Sequence, residues 1–338
     1  MATIRDVAQL AGVSTSTVSL AFAQKDRVSA DTARRVWAAA EQLGYRPNLL
    51  AQSLKRGHSR MVGLVVGDIG NPFFAHLLKA VERRALAAGH HILVSDTEAD
   101  PGREAEVLDQ LMAQRIAGIL LVPHGDGPGY AGRLGAQGTP TVILDHKVAG
   151  ADLDFVGSDS RLAAAMLTEH LVNLGHRRIA QIAGPARLWT AAERIEGFRA
   201  TLRAAGAEPD DSLIVDGLYR DVVAYEQTMR LMTRPDRPTA ILAANNMMAL
   251  GALQAIQELG LHCPRDVSLA TIDDVPWSAV IQPRLTMAIQ DVERIGRLAM
   301  EYLLERMAAR HDAGALPRRE SILSPRLVLG TSTAPPRA

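Results

Sequence analysis

The sequence has little of several features that mark common protein classes. Its 338 residues include one cysteine, Cys263, so neither a disulfide framework nor a cysteine metal site is expected. No apolar run approaches the roughly 18 residues that span a bilayer, and the first residues lack the pattern of an export signal. We therefore expect a globular, cytoplasmic protein with no membrane partner and no redox chemistry.

The formal net charge is also zero, but the charges are unevenly distributed. Residues 1–60 contain nine basic and four acidic side chains, out of 37 of each in the chain. The head therefore carries a net charge of +5 and the rest of the chain carries −5. Such a basic segment favours a polyanion partner, because Lys and Arg that neutralise phosphates release condensed counterions.

The head reads as three short helices with clear start signals. Thr3-Ile-Arg-Asp6 has the form of a capping box, and Gly12 ends the helix that it opens. Ser14 and Ser29 are N-cap residues for a second and a third helix. The spacing is typical of a helix-turn-helix, whose second helix lies in the major groove. Its hydroxyl groups would face bases or phosphates: Thr15, Ser16, Thr17 and Ser19. A solvated helical hairpin is the alternative.

A further short basic helix is predicted at residues 49–56. Two turns are marginal in water, so this helix needs a partner to fold. Leu54 on it could wedge between base pairs in a minor groove, or could contact a second chain.

From Met61 onward, apolar strands alternate with amphipathic helices. The strands are predicted at residues 61–66, 91–95, 118–122, 141–145, 178–183, 212–215, 239–243 and 267–272. The helices are predicted at 72–88, 102–115, 161–174, 191–205, 222–233 and 247–259. This alternation predicts an α/β fold with two parallel sheets, hence two lobes with a polar crevice at the carboxyl ends of the strands. Residues 308–319 and 331–338 are turn-rich and are expected to be mobile.

An enzyme is one alternative for this body. Gly127 to Gly132 matches G-x-G-x-x-G and could hold NAD, but Pro128 removes an amide that a phosphate would need. Neither a hydrolytic triad nor a metal-ligand spacing emerges, so no catalytic residues and no metal ligands are assigned.

The residues closely resemble the lactose/galactose repressor (LacI/GalR) family of bacterial transcription regulators along essentially the whole chain. The matching segments are Thr3 to Ser14, Leu43 to Asn48, Ala51 to Lys55, Asn71 to Phe74, Leu174 to Ile179, Arg194 to Phe198 and Pro283 to Thr286.

The resemblance implies a helix-turn-helix head, a hinge and a body like a periplasmic binding protein. The implied ranges are residues 1–46 for the DNA-binding domain, 47–60 for the hinge helix and linker, 61–330 for the effector-binding and dimerisation body, and 331–338 for a tail. The near lobe would comprise about 61–157 and 290–319, and the far lobe about 158–289 and 321–330, so the chain crosses three times. A homodimer or tetramer, associated with the nucleoid, would bind a palindromic operator.

The same resemblance assigns the sites and implies no cofactor beyond a small effector, with a sugar or polyol favoured. The DNA contacts would be Thr3, Ser14, Thr15, Ser16, Thr17, Ser19, Ser29, Tyr45, Asn48, Ala51, Leu54 and Lys55. The effector contacts would be Phe73, Phe74, Asp145, Thr190, Arg194, Tyr219, Asn245, Asp273 and Gln290, with His124 added from its place after the third strand.

Several positions depart from the family pattern. Asn246 and Ile272 replace an aspartate and a phenylalanine, and Leu188 stands where purine-binding members have arginine, which disfavours a carboxylated purine. Leu20 and Ala23 replace an arginine and an asparagine, so we expect an unusual operator half-site. A two-lobed ligand-binding protein without specific DNA readout remains a second possibility.

Overall fold

The computed structural model describes residues 2–23, 27–46, 59–125, 130, 132, 138–275, 278, 280, 282–309 and 316–337. The chain divides into two compact units, residues 1–59 and 60–338. The hinge residues Asn48, Ala51, Leu54 and Lys55 lie outside the described residues, as does most of the Gly127 to Gly132 segment.

The first unit contains three helices around a small core, as the sequence predicts. They are α1 (Ile4–Ala11), α2 (Thr15–Ala23) and α3 (Ala30–Gln42). Thr3 and Asp6 form the predicted capping box, and Gly12 ends α1 in the left-handed conformation at φ 62°. The core packs Val7 of α1 and Val18 of α2 against Val36 of α3. This arrangement leaves Thr15 and Ser16 exposed at the start of α2.

The near lobe of the second unit is built on a parallel sheet of six strands in the order β11-β5-β4-β3-β1-β2. The strands are β1 (Met61–Val66), β2 (His91–Asp96), β3 (Gly118–Leu121), β4 (Thr141–Leu144), β5 (Asp154–Ser158) and β11 (Glu320–Leu323). Helices α4 (Pro72–Ala87) and α10 (Val292–Ala308) cover one face, and α5 (Pro101–Ala113) covers the other.

The far lobe contains the second six-stranded sheet, in the order β12-β10-β9-β8-β6-β7. Its strands are β6 (Ile179–Ala183), β7 (Ile214–Asp216), β8 (Ala240–Ala243), β9 (Ser268–Ile272), β10 (Thr286–Ile289) and β12 (Arg326–Val328). Helices α6 (Ser160–Asn173) and α7 (Trp189–Ala204) cover one face, and α8 (Asp221–Met232) and α9 (Asn246–Glu258) cover the other. A 3₁₀ turn, Asp211–Leu213, occupies the start of the strand predicted from Ser212.

The chain passes between the lobes three times, after β5, after β10 and after β11. The third passage lies later than expected, because Ser321 to Leu323 pair with β5 in the near-lobe sheet and therefore do not belong to the far lobe. The last strand, β12, is antiparallel to β10, so the far-lobe sheet is mixed and not wholly parallel. All three crossings use strands at one edge of each sheet, and β2 and β7 form the opposite edges.

The expectation of a mobile C-terminal tail is wrong for residues 331–337. Ser332 is fully buried, and its hydroxyl donates to the Leu269 carbonyl and accepts from the Thr286 amide. Ala334 is held by Ser268 and by His176, whose Nε2 lies 2.9 Å from the Ala334 carbonyl oxygen. The tail is fixed because it completes hydrogen bonds at strands β9 and β10, which local composition does not reveal.

In the part of the chain that the structure describes, none of the helices has the length and apolar character of a membrane span.

Candidate effector site and DNA-binding helix

Backbone strain marks the facing edges of the two lobes. Asp145 and Asp273 follow β4 and β9 with φ of 59° and 70°, and Leu218 and Tyr219 follow β7 at 52° and 58°. Residues other than glycine rarely adopt a positive φ, and those that do concentrate at functional sites. The carboxyl ends of the strands therefore carry the candidate site.

A cavity of about 400 Å³ lies between the lobes. Every side chain that the sequence assigns to the effector lines it: Phe73, Phe74, His124, Asp145, Thr190, Arg194, Tyr219, Asn245, Asp273 and Gln290. Its size falls within the range that is usual for small-molecule sites. The structure thus brings together residues that are up to 217 positions apart in sequence, while their contact with an effector stays a prediction.

Arg194 is the central cation of the cavity. It is buried on α7, and its Nη1 donates to the Ala244 carbonyl at 2.6 Å. Its guanidinium lies 5.8 Å from the Tyr219 ring centroid. Burial opposes its charge, but Tyr219, Asp273 and Asp145 outweigh this effect and raise its pKa. Arg194 therefore stays charged next to two carboxylates.

The carboxylates have unusual proton affinities. Burial, partly offset by Arg194 and by a hydrogen bond from Gln290, raises the pKa of Asp273 to about 6. Burial also raises the pKa of Asp145, against the attraction of Arg194. The Gln290 amide donates to Asp273 Oδ1 at 2.7 Å, so the side chain that follows β10 orients the carboxylate that follows β9.

Several buried polar atoms at the cavity have no hydrogen-bond partner among the residues that the structure describes. They are Nδ1 of His124, Nε of Arg194 and Oε1 of Gln290. Buried polar groups are normally satisfied, so such a cluster indicates a site that receives a polar ligand. Next to it, Phe73 and Phe74 at the start of α4 pack edge to face at 5.2 Å and give the cavity an apolar wall.

The local sequence explains how these side chains are held. Asn71 caps α4 and Pro72 begins it, which sets the direction of Phe73. Asn245 caps α9 by accepting from the Met248 amide at 2.8 Å. The departure at Asn246 also has a role, because its amide donates to the Asp274 carbonyl at 3.0 Å, which an aspartate carboxylate could not do.

Two histidines lie on the near-lobe side, and sequence reasoning missed one of them. His146 is buried directly after Asp145, and its ring packs edge to face with that of His124 at 5.6 Å. Burial, with the nearby His124, Arg194 and Arg187, lowers the pKa of His146 well below its ordinary value, so this imidazole is neutral. The signal that could have found His146 is its position directly after a predicted strand. Arg187 and Arg220 also line the cavity and were also missed, although both follow far-lobe strands and carry the same signal.

His124 is anchored by a buried carboxylate. Glu104 of α5 accepts from the His124 amide at 2.8 Å and from the Tyr130 hydroxyl. The His124 ring lies against Gly67, where a Cβ would come within 2.2 Å of it, so this close approach requires glycine. Tyr130, the one aromatic residue of the glycine-rich segment, is thus tied to α5.

In the head, several predicted DNA contacts also act as helix caps. The Ser14 hydroxyl accepts from the Thr17 amide at 3.1 Å, and the Ser29 hydroxyl accepts from the Thr32 amide at 3.2 Å. Thr15 and Ser16 are exposed, Thr17 and Ser19 are half-buried, and Tyr45 is half-buried beside Phe22. An exposed hydroxyl row on a short helix can donate to and accept from bases.

Comparison with known proteins agrees with both units. Residues 3–48 match the model for bacterial regulatory proteins of the lacI family, and residues 168–333 match a periplasmic binding protein-like domain. The ribose operon repressor of Escherichia coli (strain K12) is 35% identical over 91% of this chain and 93% of its own. The HTH-type transcriptional repressor PurR of Haemophilus influenzae (strain PittEE) is 33% identical over 98% of both chains.

A solved structure gives the same result for the fold. The lac repressor dimer bound to operator and the anti-inducer ONPF superposes with a TM-score of 0.85 at 30% identity, over 98% of this chain and 99% of that one. Two family models, full-length relatives and this superposition agree with the capped head helices and the two-lobed body. The chain belongs to the LacI family of bacterial regulatory proteins, and it is accordingly a DNA-binding regulator and not an enzyme.

Proposed function

We propose that this protein represses a catabolic or transport operon, binding a palindromic operator as a homodimer and a sugar or polyol of monosaccharide size between its lobes. The ranges given above for head, hinge, lobes and tail are part of the proposal, except where the third crossing and the tail have been corrected. Its relatives support it, since one is a ribose operon repressor and another was solved as a dimer on operator DNA.

The buried group of Arg194, Asp145 and Asp273 beside the Phe73 and Phe74 wall carries the effector proposal. A sugar offers vicinal hydroxyls, which donate to carboxylates and accept from a guanidinium, and it has an apolar face that packs on aromatic rings. Charge-assisted hydrogen bonds of this kind are strong and directional. A carboxylated ligand would instead meet two acidic groups, and Leu188 is buried at the cavity wall.

In the head, the proposal assigns base contacts to Thr15 and Ser16 and a minor-groove wedge to Leu54. With Leu20 and Ala23 in place of a charged and an amide side chain, more of the operator affinity would come from the α2 hydroxyls and the hinge. The lobe arrangement would couple to the hinge thermodynamically, because an effector shifts DNA affinity only through its differential affinity for the two arrangements.

The function is tested with the purified full chain. A thermal-shift screen of sugars and polyols should find a ligand that raises the melting temperature, since a bound ligand stabilises by mass action. Binding to a palindromic fragment from near its own gene should weaken steeply with salt and should exceed binding to a scrambled fragment. Equal affinity for both fragments would favour a ligand-binding protein without operator readout, and no salt-sensitive binding at all would overturn the proposal.

Effector affinity should depend on pH through Asp273. Because this carboxyl titrates near 6 in the free protein and must be ionised to accept sugar hydroxyls, protonation competes with the effector as the pH falls through 6. From pH 7.5 to pH 5, we expect the dissociation constant to rise about tenfold, as one competing proton requires. Calorimetry at several pH values measures this. Asp273→Asn should bind more weakly and lose the part of the dependence that lies near pH 6, so an unchanged pH profile in this variant would contradict the assignment.

A further inference from the structure

One far-lobe segment, residues 187–190 at the start of α7, contacts the near lobe through polar groups. Arg187 Nη1 donates to the His124 carbonyl at 2.7 Å. Thr190 Oγ1 lies 2.8 Å from His146 Nδ1, within hydrogen-bond distance. The cavity is lined by both residues of each hydrogen-bonded pair, so the two bridges form part of its wall: Arg187, His124, Thr190 and His146.

Trp189, between the two bridging residues, adds an apolar contact. Its ring meets the Phe155 ring edge to face at 5.6 Å and packs against the near-lobe cluster that includes Leu108 and Ile143. Lys147 Nζ lies 4.8 Å from the Trp189 ring centroid and 2.5 Å from Glu320 Oε1 of β11. A far-lobe side chain therefore extends the hydrophobic cluster of the near lobe.

We propose that residues 187–190 form an interlobe clasp, which holds the two lobes closed before any effector binds. Each contact joins two groups of the protein, so none of them requires a ligand. Partial burial of the Trp189 ring, together with the hydrogen bonds of Arg187 and Thr190, favours the closed arrangement in the free protein. The clasp therefore shifts the equilibrium between open and closed lobes before the effector binds. The effector then shifts the same equilibrium according to its affinity for each arrangement.

The clasp lies away from the three interlobe crossings, so opening of the lobes must separate its two sides. Strand β6, which leads into it, is separated from the crossing strands β10 and β12 by β8 and β9. A rotation about the three crossings would draw residues 187–190 away from β4 and β5. Opening must therefore break both hydrogen bonds and expose the Trp189 ring, whereas an effector must leave them intact or replace them.

Spin-label distances in the full chain, without DNA and without sugar, test this inference independently of the proposed function. The labels go on Gln110→Cys of α5 and Glu226→Cys of α8, two exposed positions that follow the strands farthest from the crossings, in a Cys263→Ala background. The parent should give one dominant short distance. Trp189→Ala should shift the closed-to-open ratio at least tenfold toward a longer distance, and Trp189→Phe should shift it less.

Two further arginine variants separate the clasp from general destabilisation. Arg187→Ala removes one interlobe hydrogen bond from an exposed side chain and should shift the ratio about fivefold. Arg199→Ala is the matched control, because Arg199 lies on the same helix and pairs with Asp211 of its own lobe. A parent that is mostly open without sugar, or a Trp189→Ala variant with the parent's distances, would overturn the inference.

Discussion

Arg194→Leu should weaken binding of the sugar at least hundredfold. Arg194 is buried at the wall of the cavity that Asp145 and Asp273 also line, and its Nε has no hydrogen-bond partner among the described residues, so this N–H would gain one from a ligand hydroxyl. Losing two charge-assisted hydrogen bonds costs about 3 kcal/mol, which corresponds to that factor. The carboxylates would also lose the cation that favours their ionised, accepting form. Calorimetric titration with the sugar found by thermal shift measures the loss.

Two companion variants make this result specific. Arg194→Lys keeps the charge but loses the planar fork, so its affinity should lie between those of the parent and Arg194→Leu. Arg161→Leu removes an exposed arginine that pairs with Glu193 outside the cavity, and it should bind the sugar like the parent. If Arg194→Leu stays folded and binds sugar within threefold of the parent, Arg194 is not a ligand residue.

The buried carboxylate of Asp154 is expected to contribute strongly to the free energy of unfolding. This carboxylate begins β5, is fully buried, and accepts from Arg306 Nη2 of α10 at 2.6 Å and from Arg319 Nη2 at 3.1 Å. Burial opposes its charge, but the hydrogen bonds from Arg306 and Arg319 outweigh this and hold its pKa below the ordinary value. The ion group joins three segments that local sequence does not relate, and it fixes α10 and β11 on the near-lobe sheet.

Asp154→Ala should lower the free energy of unfolding by about 3 kcal/mol, because it leaves two arginines facing a buried site without their anion. Asp211→Ala is the control: it also removes an aspartate that pairs with an arginine, but its side chain is 77% exposed, so the loss should stay below about 0.5 kcal/mol. Denaturant titration followed by circular dichroism compares the two. Equal losses would show that the ion group adds nothing beyond a surface pair.

The same ion group gives stability a defined dependence on pH. A carboxyl whose folded pKa is depressed stabilises the fold above its unfolded pKa of about 4, and this contribution is lost as the pH falls through the lower folded value. The parent should therefore lose stability below about pH 4 more steeply than Asp154→Ala.

Much of the fold could be predicted because local pattern and tertiary environment agree. Strands β1, β3 and β8 are continuous apolar runs, buried on both faces as parallel strands are, and the sequence locates each of them. The capping box of α1 and the caps of α2 and α3 could be predicted from single residues. These signals are local, so they need no knowledge of what packs against them.

The remainder depends on contacts between distant segments. Strands β10, β11 and β12 are three or four residues long, and each is defined by its partner strand more than by composition. The turn-rich composition of the tail predicts mobility, but the hydrogen bonds that fix it run to β9 and β10, which are more than 40 residues away. His146 and Arg187 gain their roles only when the two lobes face each other.

The residues of the effector site also combine features that local sequence locates with features that depend on distant contacts. Asp145 and Asp273 could be located at strand ends from the alternation of strands and helices, but the raised pKa of each carboxyl follows from burial that the sequence does not state. Gln290 could be assigned by resemblance, whereas its hydrogen bond to Asp273 is visible only in the structure.

A small molecule bound between the lobes is expected to change the affinity of the head for its operator. The most direct measurement is fluorescence anisotropy of a labelled palindromic fragment titrated at fixed salt, with and without saturating sugar, for the parent and for Arg194→Leu. We expect at least a tenfold change of operator affinity in the parent, in either direction, and none in Arg194→Leu, because the coupling free energy is carried by the cavity. Operator affinity that is the same with and without sugar in the parent, or a change that persists in Arg194→Leu, would overturn this coupling.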